Sequence, residues 1–70
     1  MSQLDFYLLR AAEARREAEN ATLQNVRDRC LRAEAAWSEM AARADRVEKM
    51  RARLEAEKAA MAPMRAELIG

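Results

Sequence analysis

The sequence has 70 residues, enough for one small domain whose core buries a modest share of its surface. Thirteen basic and twelve acidic side chains leave a net charge of +1, which argues against a dedicated binder of polyanions. The chain has no His and a single Cys, so we expect no metal site, no cofactor and no internal disulfide. A lone cysteine is also typical of a reducing compartment.

The composition predicts an all-α protein. Alanine occupies 17 positions, charged residues make up 36% of the chain, and Gly and Pro occur once each. This mixture is typical of long helices and coiled coils. The N-terminal region holds too few apolar residues for a signal peptide or a membrane span, so we expect a cytoplasmic protein with no transmembrane segment.

The first predicted element is a helix over about residues 3–19. Ser2 and Asp5 have the spacing of a capping box, with Asp in the place of Glu, and nothing after them interrupts helical propensity. Residues 20–22, Asn-Ala-Thr, are the only internal cluster of turn-type residues. Asparagine tolerates the left-handed conformation that ends many helices, and Thr22 is suited to cap a second helix. We therefore expect a turn at 20–22.

The second predicted helix covers about residues 23–62. It is expected to end there because the residue before Pro63 is disfavoured in the helical region. Residues 63–70 are predicted to form a short tail, either frayed or a stub of helix. The whole chain is thus interpreted as one helical-hairpin domain, residues 1–70.

Seam residues recur in both helices at alternating spacings of three and four, but in different phases. A single continuous helix would therefore have its apolar face shift sideways near residue 21, and a turn removes this conflict. The fold class predicted is a two-helix antiparallel hairpin with a long second helix. The second-helix stripe is Leu23, Val26, Cys30, Ala33, Trp37, Met40, Ala44, Val47, Arg51, Leu54, Lys58 and Met61.

The two stripes match when residues whose numbers sum to 44 are paired across the hairpin. This register places Tyr7 against Trp37, so we expect their rings to lie within about 7 Å of each other. Small residues in the middle layers allow the helices to approach closely. The predicted hairpin core consists of Leu4, Tyr7, Ala11, Ala14, Val26, Cys30, Trp37 and Met40.

Beyond Met40 the seam continues with no residues left in this chain to cover it. We expect this part of the second helix to bind a protein partner, most simply a second copy of the chain. The predicted association residues are Ala44, Val47, Met50, Leu54 and Met61, and Phe6, Leu9 and Leu31 form a second candidate contact set. We therefore expect a structural or interaction protein that self-associates into a four-helix bundle or coiled coil.

A parallel coiled coil of the long helix competes with the hairpin. It would bring Arg43 to Glu48 of the other copy, an attraction that is small and screened at an exposed position. It would also stack Arg51 and Lys58 against their own copies at the seam. The hairpin is favoured because one seam cannot serve both arrangements.

Catalysis is not expected from these residues. General acid–base chemistry usually uses His or a buried carboxylate, whereas nearly every Asp and Glu falls off the seams. Cys30 admits two interpretations. Nearby Arg27 and Arg29 would favour a reactive thiolate, while its seam position predicts a small apolar filler against Ala14, which we prefer.

The basic residues between 43 and 53 provide the alternative function, binding of nucleic acid or an anionic membrane. This segment has a surplus of three positive charges. Aromatic residues for stacking on bases are missing from it, so a solvated helix face is the preferred interpretation. The residues that would contact a polyanion are Arg43, Arg46, Lys49 and Arg53.

The stretch from Asn25 to Ala41, N-V-R-D-R-C-L-R-A-E-A-A-W-S-E-M-A, resembles a segment that recurs in short uncharacterised helical-hairpin proteins of alphaproteobacteria. The resemblance extends over most of the chain, including the A-T-L before Asn25. It implies a bacterial cytoplasmic protein of helical-hairpin type. It carries over no functional residues.

Overall fold

The structure is a computed structural model that describes residues 1–69, with side chains described for residues 1–61. It consists of two helices, α1 (Gln3–Asn20) and α2 (Gln24–Ile69), and the described residues contain no strand. The helices fold back on each other, which confirms the predicted all-α hairpin with a long second helix.

Helix α1 begins as the capping spacing predicts and ends without a left-handed residue. Ser2 is extended (φ −75°, ψ 165°), and its Oγ accepts a hydrogen bond from the Asp5 backbone N–H at 3.0 Å. At the other end Ala21 is extended (φ −71°, ψ 133°), and its N–H donates to the Ala18 carbonyl at 3.3 Å. No non-glycine residue in the described chain has a positive φ, so Asn20 ends α1 without using its left-handed tolerance.

The turn lies one residue later than predicted, at 21–23 instead of 20–22. Leu23 therefore replaces Thr22 as the residue before α2, and its carbonyl accepts the Arg27 N–H at 3.0 Å. The Arg27 guanidinium donates to the Ala21 carbonyl, also at 3.0 Å. This hydrogen bond satisfies a carbonyl at the C-terminal end of α1 that has no partner within the helix.

Helix α2 continues past the predicted end at about residue 62 and reaches Ile69, so the expected tail at 63–70 is wrong as far as residue 69. Proline fixes φ near the helical value of about −65°, so Pro63 removes a hydrogen bond without ending the helix. At about 1.5 Å per residue, the 46 residues of α2 account for the 70 Å length of the molecule. The radius of gyration, 20.2 Å, compares with about 11 Å for a compact domain of this length.

Small side chains form the buried layer between the helices. Ala18 is 2% exposed, and the other buried residues are Ala11, Ala14, Cys30 and Ala41. The larger predicted core residues Leu4, Tyr7, Val26 and Trp37 flank this layer and are half-buried. The Tyr7 and Trp37 ring centroids lie 6.0 Å apart, which confirms the predicted register.

One predicted core residue, Met40, lies at the edge of the interface, where it lines a groove with Gln3 and Tyr7 of α1. Met40 is 37% exposed, whereas its neighbour Ala41 is 3% exposed and occupies the last buried position opposite α1. The covered residues of α2 repeat at intervals of eleven, as in the steps from 26 to 37 and from 30 to 41. This spacing follows a nearly straight helix, which drifts by about 20° per heptad away from a strict seven-residue seam.

Candidate protein-association surface

The part of α2 that α1 does not cover is the main exposed surface of the molecule. Helix α1 begins opposite Ala41, so residues 42–61 form an extension in which every residue except Ala44 and Asp45 is exposed. Four large apolar side chains on it are about half exposed: Val47 at 50%, Met50 at 48%, Leu54 at 55% and Met61 at 56%. These are four of the five predicted association residues.

The exposed apolar residues follow one line along the helix. Met40, Val47, Leu54 and Met61 recur at intervals of seven, and Met50 lies beside them. We call these five residues the extension stripe. At 3.6 residues per turn, it is rotated by roughly 100° around α2 from the face that packs on α1. The hairpin partner and a second neighbour would therefore contact adjacent faces of the same helix.

Ala44 lies nearer to α1 than the other predicted association residues, at a groove that it lines with Tyr7 and Val47. It is half-buried and lies eleven residues after Ala33, on the covered line of α2. The predicted seam joined Ala44 to Val47 and Leu54 because it assumed a strict heptad. Around a helix with 3.6 residues per turn a seven-residue repeat drifts. Ala44 therefore lies closer to α1 than Val47 and Leu54 do.

Basic side chains border the extension stripe on both sides. Helical geometry places Arg46 and Arg53 along one edge, and Arg51 and Lys58 along the other. Arg46, Arg51 and Arg43 line an open groove of about 430 Å³ whose floor is Val47, Met50 and Leu54. Among the side chains described, none of the four edge residues forms an ion pair.

The predicted polyanion contacts are brought together only in part. Arg46, Lys49 and Arg53 line one shallow groove with Met50 between them. Lys49, however, is paired with Asp45 at 2.9 Å, and Arg43 with Glu39 at 3.7 Å. These pairs are exposed, so they reduce the local positive charge without fixing the side chains firmly.

The aromatic residues form a cluster at the open end of the hairpin. The chain has one Phe, one Tyr and one Trp, and all three rings meet. Phe6 packs edge-on against Trp37 with centroids 5.9 Å apart, and the Arg10 guanidinium lies 5.4 Å from the Trp37 ring centre. Phe6 and Arg10 are one helical turn apart and therefore lie on the same side of α1. This spacing is the feature of the sequence that could have predicted their shared contact with Trp37.

The second predicted contact set does not form one patch. Phe6 remains 43% exposed but contacts Trp37 on the side of α1 that carries Arg10. Leu31, 39% exposed, lines a groove with Arg15, which lies roughly 140° around α1 from Arg10. Leu9 is 42% exposed and points away from α2. These residues are exposed apolar groups on different sides of the hairpin.

An ion pair that the sequence did not predict joins the two helices. The Arg15 guanidinium contacts Glu19 of its own helix at 3.0 Å and Glu34 of α2 at 3.5 Å. The hydrogen bond to Glu19, followed by the negative charge of Glu34, raises the pKa of Arg15 above its ordinary value. The arginine therefore carries its charge at every physiological pH.

Cys30 lies at the predicted position in the hairpin core. It is 8% exposed, and its Sγ is 3.9 Å from the Glu17 carboxylate. Neither Arg27 nor Arg29 contacts the thiol in the described structure. Residues 1–61 contain no group of three or more His, Cys, Asp or Glu side chains placed to hold a metal ion. No described helix combines the length and apolar content required to cross a membrane.

Three comparisons with known proteins, against family models, curated proteins and solved structures, gave no match.

Proposed function

We propose that this chain is a structural or interaction protein, not an enzyme, whose α2 extension packs against another helix. The observation that carries the proposal is the extension stripe, a line of large apolar side chains that runs along the part of α2 that α1 does not cover. A helix gains most of its stability in proteins from packing rather than from intrinsic propensity. A neighbouring helix would supply the packing that α1 supplies to the first half of α2.

The energy available from this surface is substantial for a small protein. Complete burial of a large apolar side chain contributes roughly 1.5–3 kcal/mol. Val47, Met50, Leu54 and Met61 are each about half exposed, so covering them offers on the order of several kcal/mol before the entropic cost of association.

The partner in this proposal is a protein, either a second copy or a foreign helix. Two copies joined through their extensions would form a dimeric coiled coil or four-helix bundle. The expected setting is the bacterial cytoplasm, which the buried, unpaired Cys30 supports. Light scattering on the purified chain measures whether the protein self-associates.

The test is the double change Val47→Asp with Leu54→Asp. Two charges in the middle of the stripe should abolish the dimer or partner complex, because burying each carboxylate in an apolar seam removes its hydration. Light scattering and titration with a partner helix measure the loss. Circular dichroism and the Trp37 indole N–H resonance should show that the hairpin is unchanged.

The matched control is Ala52→Asp with Ala56→Asp. These exposed alanines lie on the opposite side of the same extension, so the change in charge and helix propensity is comparable. Association should survive in this variant. If the Val47 and Leu54 changes leave association intact, the interface lies elsewhere and the proposal is wrong.

A second candidate function is binding of nucleic acid or an anionic membrane, supported by the shared groove of Arg46, Lys49 and Arg53. Retention on heparin that persists well above physiological salt would favour it. Loss of that retention in Arg46→Gln with Arg53→Gln would assign it to this groove. No retention at physiological salt would exclude this function.

A further inference from the structure

We propose that the extension stripe binds an amphipathic helix of a different protein, one whose apolar seam is bordered by Asp and Glu. The inference rests on the proposed function, because it selects the partner for the same surface. It depends on the width of the stripe, the charges along its edges and the pairing that a second copy would impose.

The width of the stripe favours a helix as the occupant. Its four residues on the extension span only about 60° of the helix circumference at 3.6 residues per turn. A narrow line of this kind is typical of a coiled-coil seam, whereas a broader apolar face is expected on a helix that lies in a membrane. The extension also carries no aromatic residue to anchor it at a lipid interface.

The edge charges favour an acidic partner. Arg46 and Arg53 border the stripe on one side, and Arg51 and Lys58 on the other. Two acidic residues lie close to it: Glu57, and Glu48, which lines a groove with Val47 and Arg51. None of the four cations is paired within the described side chains. Instead Arg53 donates a hydrogen bond to the Met50 sulfur at 3.4 Å and thus lies along the stripe. Opposite charges on a partner would meet these groups at both edges.

A parallel second copy is a poor match for the same edges. In a parallel pair, an edge residue faces the residue five positions further along the other helix. Arg46 would then face Arg51, and Arg53 would face Lys58, each twice by symmetry. Such like-charge contacts select against a partner as effectively as attractive contacts select for one.

An antiparallel second copy meets a related obstacle. The register that packs Met50 on Leu54 of the other copy places the two-fold axis near residue 52. Arg51 then faces its own copy on one side, and Arg53 faces its own copy on the other. The repulsion falls at the centre of the interface, where water is best excluded and screening is weakest. Both orientations of a self-pair thus oppose the edge charges.

The experiment uses the full chain and two synthetic helical peptides with the same leucine seam. One peptide carries Glu at every position that borders the seam, and the other carries Lys there. Isothermal titration calorimetry should show the Glu-bordered peptide binding at least about tenfold more tightly, with an advantage that shrinks as salt is added. Leu54→Asp should abolish binding of both peptides.

A charge-reversal variant tests the edges directly. Arg46→Glu with Arg51→Glu should remove the preference for the Glu-bordered peptide, because one Glu then stands beside one remaining cation, Arg53 or Lys58, on each edge. The control with the same change in net charge is Arg29→Glu with Arg32→Glu, whose positions are exposed and lie outside the extension. It should retain the preference for the Glu-bordered peptide. Circular dichroism checks that both variants keep their helicity.

Failure of the Glu-bordered peptide to bind overturns the inference, whatever the oligomeric state of the chain. Equal affinity for the two peptides, or stronger binding to vesicles of phosphatidylcholine and phosphatidylserine, also overturns it. A stable dimer that the Glu-bordered peptide does not displace would identify a second copy as the occupant. In that case Val47→Asp with Leu54→Asp would still disrupt the dimer, so the proposed function would stand without this choice of partner.

Discussion

The first part of α2, residues 24–41, and the extension, residues 42–61, differ in their surroundings. In residues 24–41, the helix packs its small residues against α1, and the buried layer is formed by alanine and Cys30. In residues 42–61, the same helix carries larger apolar residues, yet they are about half exposed. Small residues therefore fill the buried layer within the chain, whereas the large apolar residues of the extension have no contact with α1 to bury them.

This difference separates the residues that pack the hairpin from those available for the proposed association. Close packing of alanines needs little volume and holds the helices in one register, with Tyr7 against Trp37. The larger residues offer more free energy per contact because the hydrophobic contribution grows with the area buried. A chain that used them all in its own core would have less surface left for association.

The largest expected effect concerns the aromatic cluster. Trp37→Ala should destabilise the hairpin by about 3 kcal/mol, at the low end for such truncations because Trp37 is only half-buried. It removes contacts with Phe6, Tyr7 and Arg10 together. Urea unfolding followed by circular dichroism measures the change.

The matched truncation in the other half of α2 is Met50→Ala. Met50 is 48% exposed and touches no residue of α1, so the effect on the isolated chain should be within about 0.5 kcal/mol. Equal losses in the two variants would mean that the halves do not differ as described.

The next effect concerns the close approach of the helices. Ala18→Leu should destabilise the hairpin by about 1–3 kcal/mol, because Ala18 is 2% exposed and has no space for a larger side chain. Ala12→Leu, at an exposed position of the same helix, serves as the control and should be nearly neutral. Thermal unfolding of both variants decides the point. A neutral Ala18→Leu would show that the helices are not closely packed.

Much of the hairpin could be predicted from the sequence because its signals are local. The phase shift between the two stripes located the turn to within one residue, and the register brought Tyr7 to Trp37. Met40 is more exposed than the other predicted core residues because a seven-residue repeat drifts around a helix with 3.6 residues per turn. The same drift separated Ala44 from the extension stripe. The contact of Phe6 with Trp37 depends on how far a ring reaches around the helix, which spacing alone does not specify.

A smaller effect is expected at the buried thiol. Cys30→Ser should cost about 1 kcal/mol, because a hydroxyl replaces an apolar group in the core. The cost stays small because Glu17 is close enough to accept a hydrogen bond from the hydroxyl. Complementation in a strain that lacks the gene should be unaffected, since the thiol acts as a packing group. Cys30→Ala gives the stability reference. Loss of function in a folded Cys30→Ser variant would instead assign chemistry to the thiol.

The smallest effect is expected at the cross-helix ion pair. Arg15→Met removes the contacts with Glu19 and Glu34 but keeps most of the side-chain volume, so its shift in melting temperature should be the least of the series. Because the pKa of Arg15 is raised, the charge and its contribution are fully present at neutral pH and are lost only as pH rises past that raised pKa. Melting of the wild type and the variant at low and high salt measures the contribution. A large shift that salt does not reduce would contradict the assignment of this pair as an exposed one.

The clustering of all three aromatic rings at one end of the hairpin has an optical consequence. The single indole of the chain, Trp37, lies between Phe6, Tyr7 and Arg10, while the extension contains no aromatic chromophore. Intrinsic tryptophan emission therefore reports on the opening of the hairpin and is insensitive to events along most of the extension. A partner that covers only Met50, Leu54 and Met61 would leave the emission unchanged, whereas one that displaces α1 would shift it to longer wavelength as the indole enters water. The unmodified chain thus distinguishes docking from unfolding without any added label.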